Sequence, residues 1–247
     1  MPVFFSQIPV IDKKAFFTYP VDRKGMLNVK RQIIFDMDGV IFDTERLVLN
    51  CGIFLAEKYG IPKIEETFHQ TIGTSSQSTK EILYETYGKD FPLETFWEEW
   101  QQQYKERVRK FGVPMKEGVR ELLSFLKING YRIGLASSSR YETVEKNLMA
   151  AKLHDFFETI VGGDMVEKSK PEPDIYLCAC QKMEIDPKET FAIEDSWNGV
   201  RSAAGAGLRV LHVPDLLEPD EEMERLSYAI FEDLIDVRHY LAKQIQM

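Results

Sequence analysis

The 247-residue chain is poor in cysteine and histidine and has no surplus of positive charge. Its three cysteines, Cys51, Cys178 and Cys180, are odd in number and form no paired framework, which excludes a disulfide scaffold and suits a reducing cytoplasm. Cys178 and Cys180 lie two apart in a segment with helical character, so they diverge and do not readily share a metal; core packing is their expected role. The four histidines, His69, His154, His212 and His239, lack ligand-like spacing, which argues against a histidine-bound zinc. Lys and Arg total 31 against 40 Asp and Glu, a net charge of -9, so neither nucleic acid nor an anionic membrane surface is an expected partner. No apolar run is long enough to span a bilayer, and there are no repeats or low-complexity tracts.

The length allows one substantial core plus a smaller lobe, and 44% hydrophobic residues is ordinary for a globular protein. Residues 1 to 25 are aromatic-rich (Phe4, Phe5, Phe16, Phe17, Tyr19) but lack the basic start and apolar stretch of a signal peptide. They form an N-terminal extension without an assigned role, and Met26 would be a natural beginning shortly before the first strand.

Residues 33 to 42 read Ile-Ile-Phe-Asp-Met-Asp-Gly-Val-Ile-Phe. The apolar run predicts a buried parallel strand, and ligand crevices in open α/β sheets lie beyond the carboxyl ends of the strands, where Asp36 would stand. If strand geometry persists, Asp36 and Asp38 share one side and repel, which implies a hard oxygen-binding cation such as Mg²⁺. An Asx-turn that merely ends the strand is the alternative.

Helical spacing follows over Glu45 to Tyr59, stopping at Gly60 with a new helix-start signal at Pro62. Further helices are expected over Glu81 to Tyr87 and Leu93 to Phe111, the latter placing Phe96, Trp97, Trp100, Tyr104 and Val108 near one face as bundle core. No convincing strand falls between Thr44 and Val113. From Met115, a helix through Val119, Leu122, Leu123, Phe125 and Leu126 closes at Asn129-Gly130. Strand signals then recur at Tyr131 to Ala136, Thr159 to Val161, Phe191 to Ile193 and Leu208 to Val213, separated by helices, the pattern of βαβ crossovers. The expected fold is therefore α/β, a Rossmann-like parallel sheet core of residues 26 to 43 and 114 to 247, with an all-α cap of residues 44 to 113 inserted after the first strand.

The later strands end in polar groups. Ser137-Ser138-Ser139-Arg140 could hold phosphate oxygens at a strand-to-helix turn, or Ser137 could simply cap the next helix. The Lys168 to Asp174 turn, stiffened by Pro171 and Pro173, could direct Lys170 at both a carboxylate and a phosphate; a solvated loop lysine is the alternative. Glu194-Asp195-Ser196 closes another strand with a second acidic pair, and one divalent ion held jointly with Asp36 would relieve the repulsion.

In this order, Asp36-Met37-Asp38-Gly39, Ser137, Lys170-Pro171 and Glu194-Asp195-Ser196 resemble the four motifs of the haloacid-dehalogenase superfamily, over about Val29 to Val213. Gly199-Val200 and Ala203-Ala204-Gly205-Ala206-Gly207 resemble its small-residue helix after the last acidic motif. The helical insert resembles the cap of the β-phosphoglucomutase and phosphoglycolate-phosphatase-like branch. The resemblance implies that Asp36 is a nucleophile forming an aspartyl-phosphate and Asp38 the general acid/base. It implies Mg²⁺ on Asp36, the Asp38 main-chain carbonyl, Asp195 and Glu194, with Ser137, Ser138 and Lys170 on the phosphate.

Two departures from the mutase pattern favour a phosphatase. Val48 stands where the mutase has a histidine that restrains its acid/base, and Gly73-Thr74-Ser75-Ser76 has serine in place of a phosphate-binding arginine. The Asp43-Thr44-Glu45 hinge also looks more like the sugar-phosphate phosphatases, and the presence of Asp38 disfavours a dehalogenase. The expected activity is Mg²⁺-dependent hydrolysis of a small phosphorylated metabolite, a sugar phosphate ahead of phosphoglycolate or a nucleotide, by a monomer. A phosphosugar mutase is the enzymatic alternative, and a phosphometabolite sensor the non-enzymatic one.

Overall fold

In the computed structural model, which describes residues 31–71 and 76–246, β1 (Gln32–Phe35), β2 (Arg132–Ser137), β3 (Thr159–Gly162), β4 (Thr190–Glu194), β5 (Arg209–His212) and β6 (Ala229–Ile230) pair in the order β3-β2-β1-β4-β5-β6. All pairings are parallel. The extension of residues 1 to 25, the 73–75 stretch of the comparison with the mutase, and the Ser76 side chain lie outside the described residues.

Strands rich in Ile, Val and Leu bury both faces when helices cover both sides of a sheet. One face of this sheet packs Ile33, Phe35, Leu135 and Ile193 against α5 (Val119–Ile128) and the helix Leu234–Gln246; the other packs Ile34, Ala192 and Val210 against α7 (Asp174–Met183) and α8 (Trp197–Gly205). From β1 the chain runs outward through β2 and β3, then returns to place β4 on the other flank of β1. The order thus reverses between β1 and β4, where such sheets open a crevice beyond their carboxyl ends. Phe35 lies in register with Ile193, so the residues that follow each strand emerge at one level.

Between β1 and α5 the chain forms α1 (Thr44–Tyr59), α2 (Ile64–His69), α3 (Ser76–Tyr87) and α4 (Leu93–Phe111), which share a hydrophobic cluster of their own. α1 stops at Gly60, whose left-handed conformation (φ 64°) lets its N–H return to Ala56 and Glu57. Phe96 and Trp100 of the aromatic stripe are buried with ring centroids 5.5 Å apart, and Trp100 Nε1 donates to the Val48 carbonyl at 2.8 Å. The segments entering and leaving this insert lie side by side: Asp43 N donates to Pro114 O (2.8 Å) and Lys116 N to Ile41 O (2.9 Å).

Differences from the sequence reading are local. α3 starts at Ser76 rather than Glu81, because its polar first turns carry no apolar periodicity. β6 was not expected; two half-buried edge residues are too few to show a pattern. α7 leaves Cys180 buried and Cys178 partly exposed, diverging as expected. Among the described residues no helix is long and apolar enough to cross a membrane.

Candidate active site

Asp36 is fixed at the end of β1 by its own N–H, which donates to the Ile193 carbonyl at 3.0 Å. Immediately afterwards the backbone turns: Ile41 N and Phe42 N both donate to Met37 O (2.9 and 3.0 Å), and Gly39 takes φ 84°. Strand pairing by β1 ends at Phe35 and Asp38 makes only an isolated bridge with Phe42, so the persisting strand that would set Asp36 and Asp38 on one side by alternation is not present. Their carboxylates have different surroundings. Asp38 Oδ2 accepts from Ser139 Oγ at 2.9 Å and lies 3.4 Å from Ser137 Oγ.

Ser137 Oγ accepts from Ser139 N at 3.0 Å and does not cap α6 (Tyr141–Ala150), whose first N–H goes to Asp164 Oδ1. The Ser138 side chain is exposed, with its hydroxyl 3.4 Å from Ser169 Oγ rather than at Asp38. Lys170 is no solvated loop lysine. Its side chain is 7% exposed, and its ammonium lies 2.5 Å from Asp36 Oδ1 and 2.7 Å from Glu194 Oε1.

Glu194 and Asp195 emerge from β4 beside Asp36. Glu194 Oε1 also accepts from the Tyr176 hydroxyl at 2.6 Å. Two glycines make room for the acids: a Cβ on Gly39 would run into the Asp195 carboxylate, and one on Gly199 into that of Glu194. Asp36, Glu194 and Asp195, all buried, each present a carboxylate oxygen, and the three lie within 4.8 Å of one another. The Asp38 carboxylate is not in this group. Asp195 Oδ1 is buried without a hydrogen-bond partner. Three converging carboxylates, one of them with an unsatisfied oxygen, fit a divalent cation of the Mg²⁺ type.

Burial raises Asp36 above the ordinary carboxylate range, with Lys170 pulling it down and Glu194 and Asp38 pushing it up. Asp195 is raised well above that range by burial, reinforced by Asp36 and Glu194. Burial likewise raises Asp38, opposed chiefly by the hydrogen bond from Ser139. Burial alone would lower Lys170, but Asp36 and Glu194 outweigh it, so the ammonium stays charged.

Several residues at the site escaped the sequence reading. Ser139 is nearer Asp38 than Ser137, although only its membership of the serine triplet could have suggested it. Tyr176, fully buried on α7, carries no motif in the sequence that marks it. His212, expected only as a scattered histidine, is buried on β5 with Nε2 3.2 Å from the Asp195 carbonyl oxygen. Tyr104, expected as bundle core, is only half-buried; burial and the charges of Asp38, Cys51 and Glu45 push it up to about 12, so this end of the stripe feels the site. At the hinge, Asp215 Oδ1 takes Lys116 Nζ at 2.6 Å and Arg46 at 3.6 Å.

Residues 33–213 match the haloacid dehalogenase-like hydrolase family. The chain is 34% identical over 182 residues to the phosphorylated carbohydrates phosphatase of Thermotoga maritima, covering 73% of this chain and 83% of that protein. It is 29% identical over 206 residues to hexitol phosphatase B of Escherichia coli, covering 76% and 86%. Among solved structures it resembles a hydrolase of the same family from Deinococcus radiodurans, crystallised with bound phosphate and sodium, at a TM-score of 0.74 and 25% identity over 87% of this chain and 97% of that one.

Proposed function

The chain belongs to the haloacid dehalogenase-like hydrolase family, and we propose that it is a Mg²⁺-dependent phosphatase that hydrolyses a phosphorylated carbohydrate through a phosphoryl group carried on Asp36. The observation that carries this reading is the convergence of Asp36, Glu194 and Asp195 on one buried point, with Lys170 bridging Asp36 and Glu194. With all three acids ionised, one ammonium leaves two negative charges, the number a divalent cation cancels. The carbohydrate class is supported by the substrates named for the Thermotoga maritima and Escherichia coli relatives.

The carboxylates of Asp36, Glu194 and Asp195 and the main-chain carbonyl of Asp38 would hold the Mg²⁺, which when bound neutralises charge on the transferring phosphoryl group. Asp36 attacks phosphorus, forming a carboxyl–phosphorus bond as the bond to the sugar oxygen breaks. Asp38 gives its proton to the departing oxygen, a transfer that suits a carboxyl whose hold on its proton is strengthened by burial. It then takes a proton from the water that attacks the phosphoryl group, releasing phosphate and restoring Asp36. Lys170, Ser137 and Ser138 bind the phosphoryl oxygens. Ser139, through its bond to Asp38 Oδ2, orients the acid. The helices of residues 44 to 113 act as a cap that excludes water during transfer, and the core of residues 26 to 43 and 114 to 247 carries the chemistry.

A phosphate-release screen over phosphorylated metabolites tests the reading. Turnover of one or more sugar phosphates with Mg²⁺, abolished by chelation, is expected. Undiminished turnover in metal-free buffer would remove the basis of the site assignment.

A further inference from the structure

Tyr176 lies in the first turn of α7, directly after the turn that carries Lys170, and is fully buried. Its hydroxyl is 2.6 Å from Glu194 Oε1, the same oxygen that lies 2.7 Å from Lys170 Nζ. The Lys170 ammonium also sits 5.2 Å from the centroid of the Tyr176 ring. Glu194 is therefore gripped by two donors on one oxygen. Its other oxygen has longer contacts, 3.2 Å to Asp195 N and 3.4 Å to Ser196 Oγ. A phenol donates without adding charge, so it can hold a carboxylate in place without competing with a cation for the site. Replacing the phenol with a second ammonium would cancel charge that a divalent ion must meet.

We propose that Tyr176 is a positioning residue for the metal site, fixing the Glu194 carboxylate through Oε1 so that the cluster of Glu194, Asp36 and Asp195 is preorganised for Mg²⁺. The inference rests on the reading of those three acids as the Mg²⁺ site. Without the hydroxyl, Lys170 alone restrains Oε1 and the carboxylate regains rotational freedom, which must be given up again on binding the cation. Partners that orient a ligand in this way typically govern metal affinity as strongly as they govern activity.

Tyr176→Phe isolates the hydroxyl, because the ring that packs in the core and faces Lys170 is retained. Titration calorimetry of Mg²⁺ into wild type and variant should show affinity weakened about ten- to hundredfold in the variant. Excess Mg²⁺ should restore most of kcat, with KM for the phosphorylated substrate little changed, since Tyr176 touches Glu194 and not the phosphate. Mg²⁺ affinity equal to or tighter than that of wild type would overturn this inference alone and leave Tyr176 as core packing. A wild-type protein that takes up no Mg²⁺ would instead overturn the proposed function, and this inference with it.

Discussion

The Lys170 ammonium and the Asp36 carboxylate, 134 positions apart in the chain, meet at 2.5 Å with both side chains almost wholly buried. Such a pair is expensive to break from one side, because the remaining charge stays desolvated. Lys170→Met leaves three buried acids facing one another and is expected to destabilise the metal-free protein by about 3–5 kcal/mol. The same change should lower kcat by roughly 10²–10³-fold, the usual loss for removing one donor to transition-state charge. Urea unfolding in chelator and steady-state phosphate release check the two effects; a loss of stability as small as that of an exposed lysine would contradict the pairing.

Burial raises Asp36, Asp38 and Asp195 above their ordinary value of 3.8, and Glu45, near the charges of Asp38 and Asp215, up to about 7. A carboxyl that holds its proton more tightly in the folded than in the unfolded chain takes up protons on folding. Stability contributed by such groups falls as pH rises from the carboxylate range through neutrality. Metal-free protein should therefore unfold at lower urea on the alkaline side of neutrality than on the acid side. Added Mg²⁺ should stabilise most on the alkaline side, where it no longer competes with protons. A midpoint in chelator that climbs with pH across this range would contradict the burial of uncompensated acids.

Gly39 combines a left-handed φ of 84° with a Cβ direction that points into the Asp195 carboxylate, whereas Gly60, at φ 64°, has nothing within 4 Å of that direction. Gly60→Ala should cost only its backbone conformation, about 1 kcal/mol, and leave Mg²⁺ binding alone. Gly39→Ala should cost about 1–3 kcal/mol and also weaken Mg²⁺ binding, by displacing a ligand carboxylate. Parallel urea unfolding and Mg²⁺ titration of the two variants check this; equal effects on Mg²⁺ binding would contradict the role given to Asp195.

The boundaries of α4 and the positions of β1 to β5 were legible because long amphipathic spacing and apolar runs between Gly and Pro signals are local properties. Asp36, Lys170, Glu194 and Asp195 were legible as neighbours for a similar reason: each ends a strand or sits in a proline-stiffened turn, and a parallel sheet brings such ends to one edge. The direction of the Asp38 carboxylate was not legible, because it depends on the turn at Met37–Phe42, whose hydrogen bonds only the folded backbone reveals. Ser139 and Tyr176 were hidden for another reason. Their neighbours come from how α6 and α7 pack on the sheet, and nothing in the spacing of a serine triplet or an apolar helix marks a hydroxyl as facing a carboxylate.

Hydrolysis is separable from mutase activity by product. Val48 is partly buried on α1; if it matches the mutase's restraining histidine, as the count from Asp36 implies, water attack on the phosphoenzyme should be unhindered. β-Glucose 1-phosphate, where it is turned over, should give free phosphate. Sustained glucose 6-phosphate formation that needs a bisphosphate primer and releases little phosphate would establish the mutase instead.

The phosphoryl group should pass through Asp36, and peptide mass spectrometry of enzyme quenched during turnover can locate it. With an aryl phosphate, whose leaving group needs no protonation, Asp38→Asn should retain the nucleophile, lose about 10²–10⁴-fold in turnover and accumulate the mass of one phosphoryl group on the peptide containing Asp36. That mass should be absent when Asp36→Asn is added. A phosphoryl group found on another residue, or turnover that survives Asp36→Asn, would contradict the account.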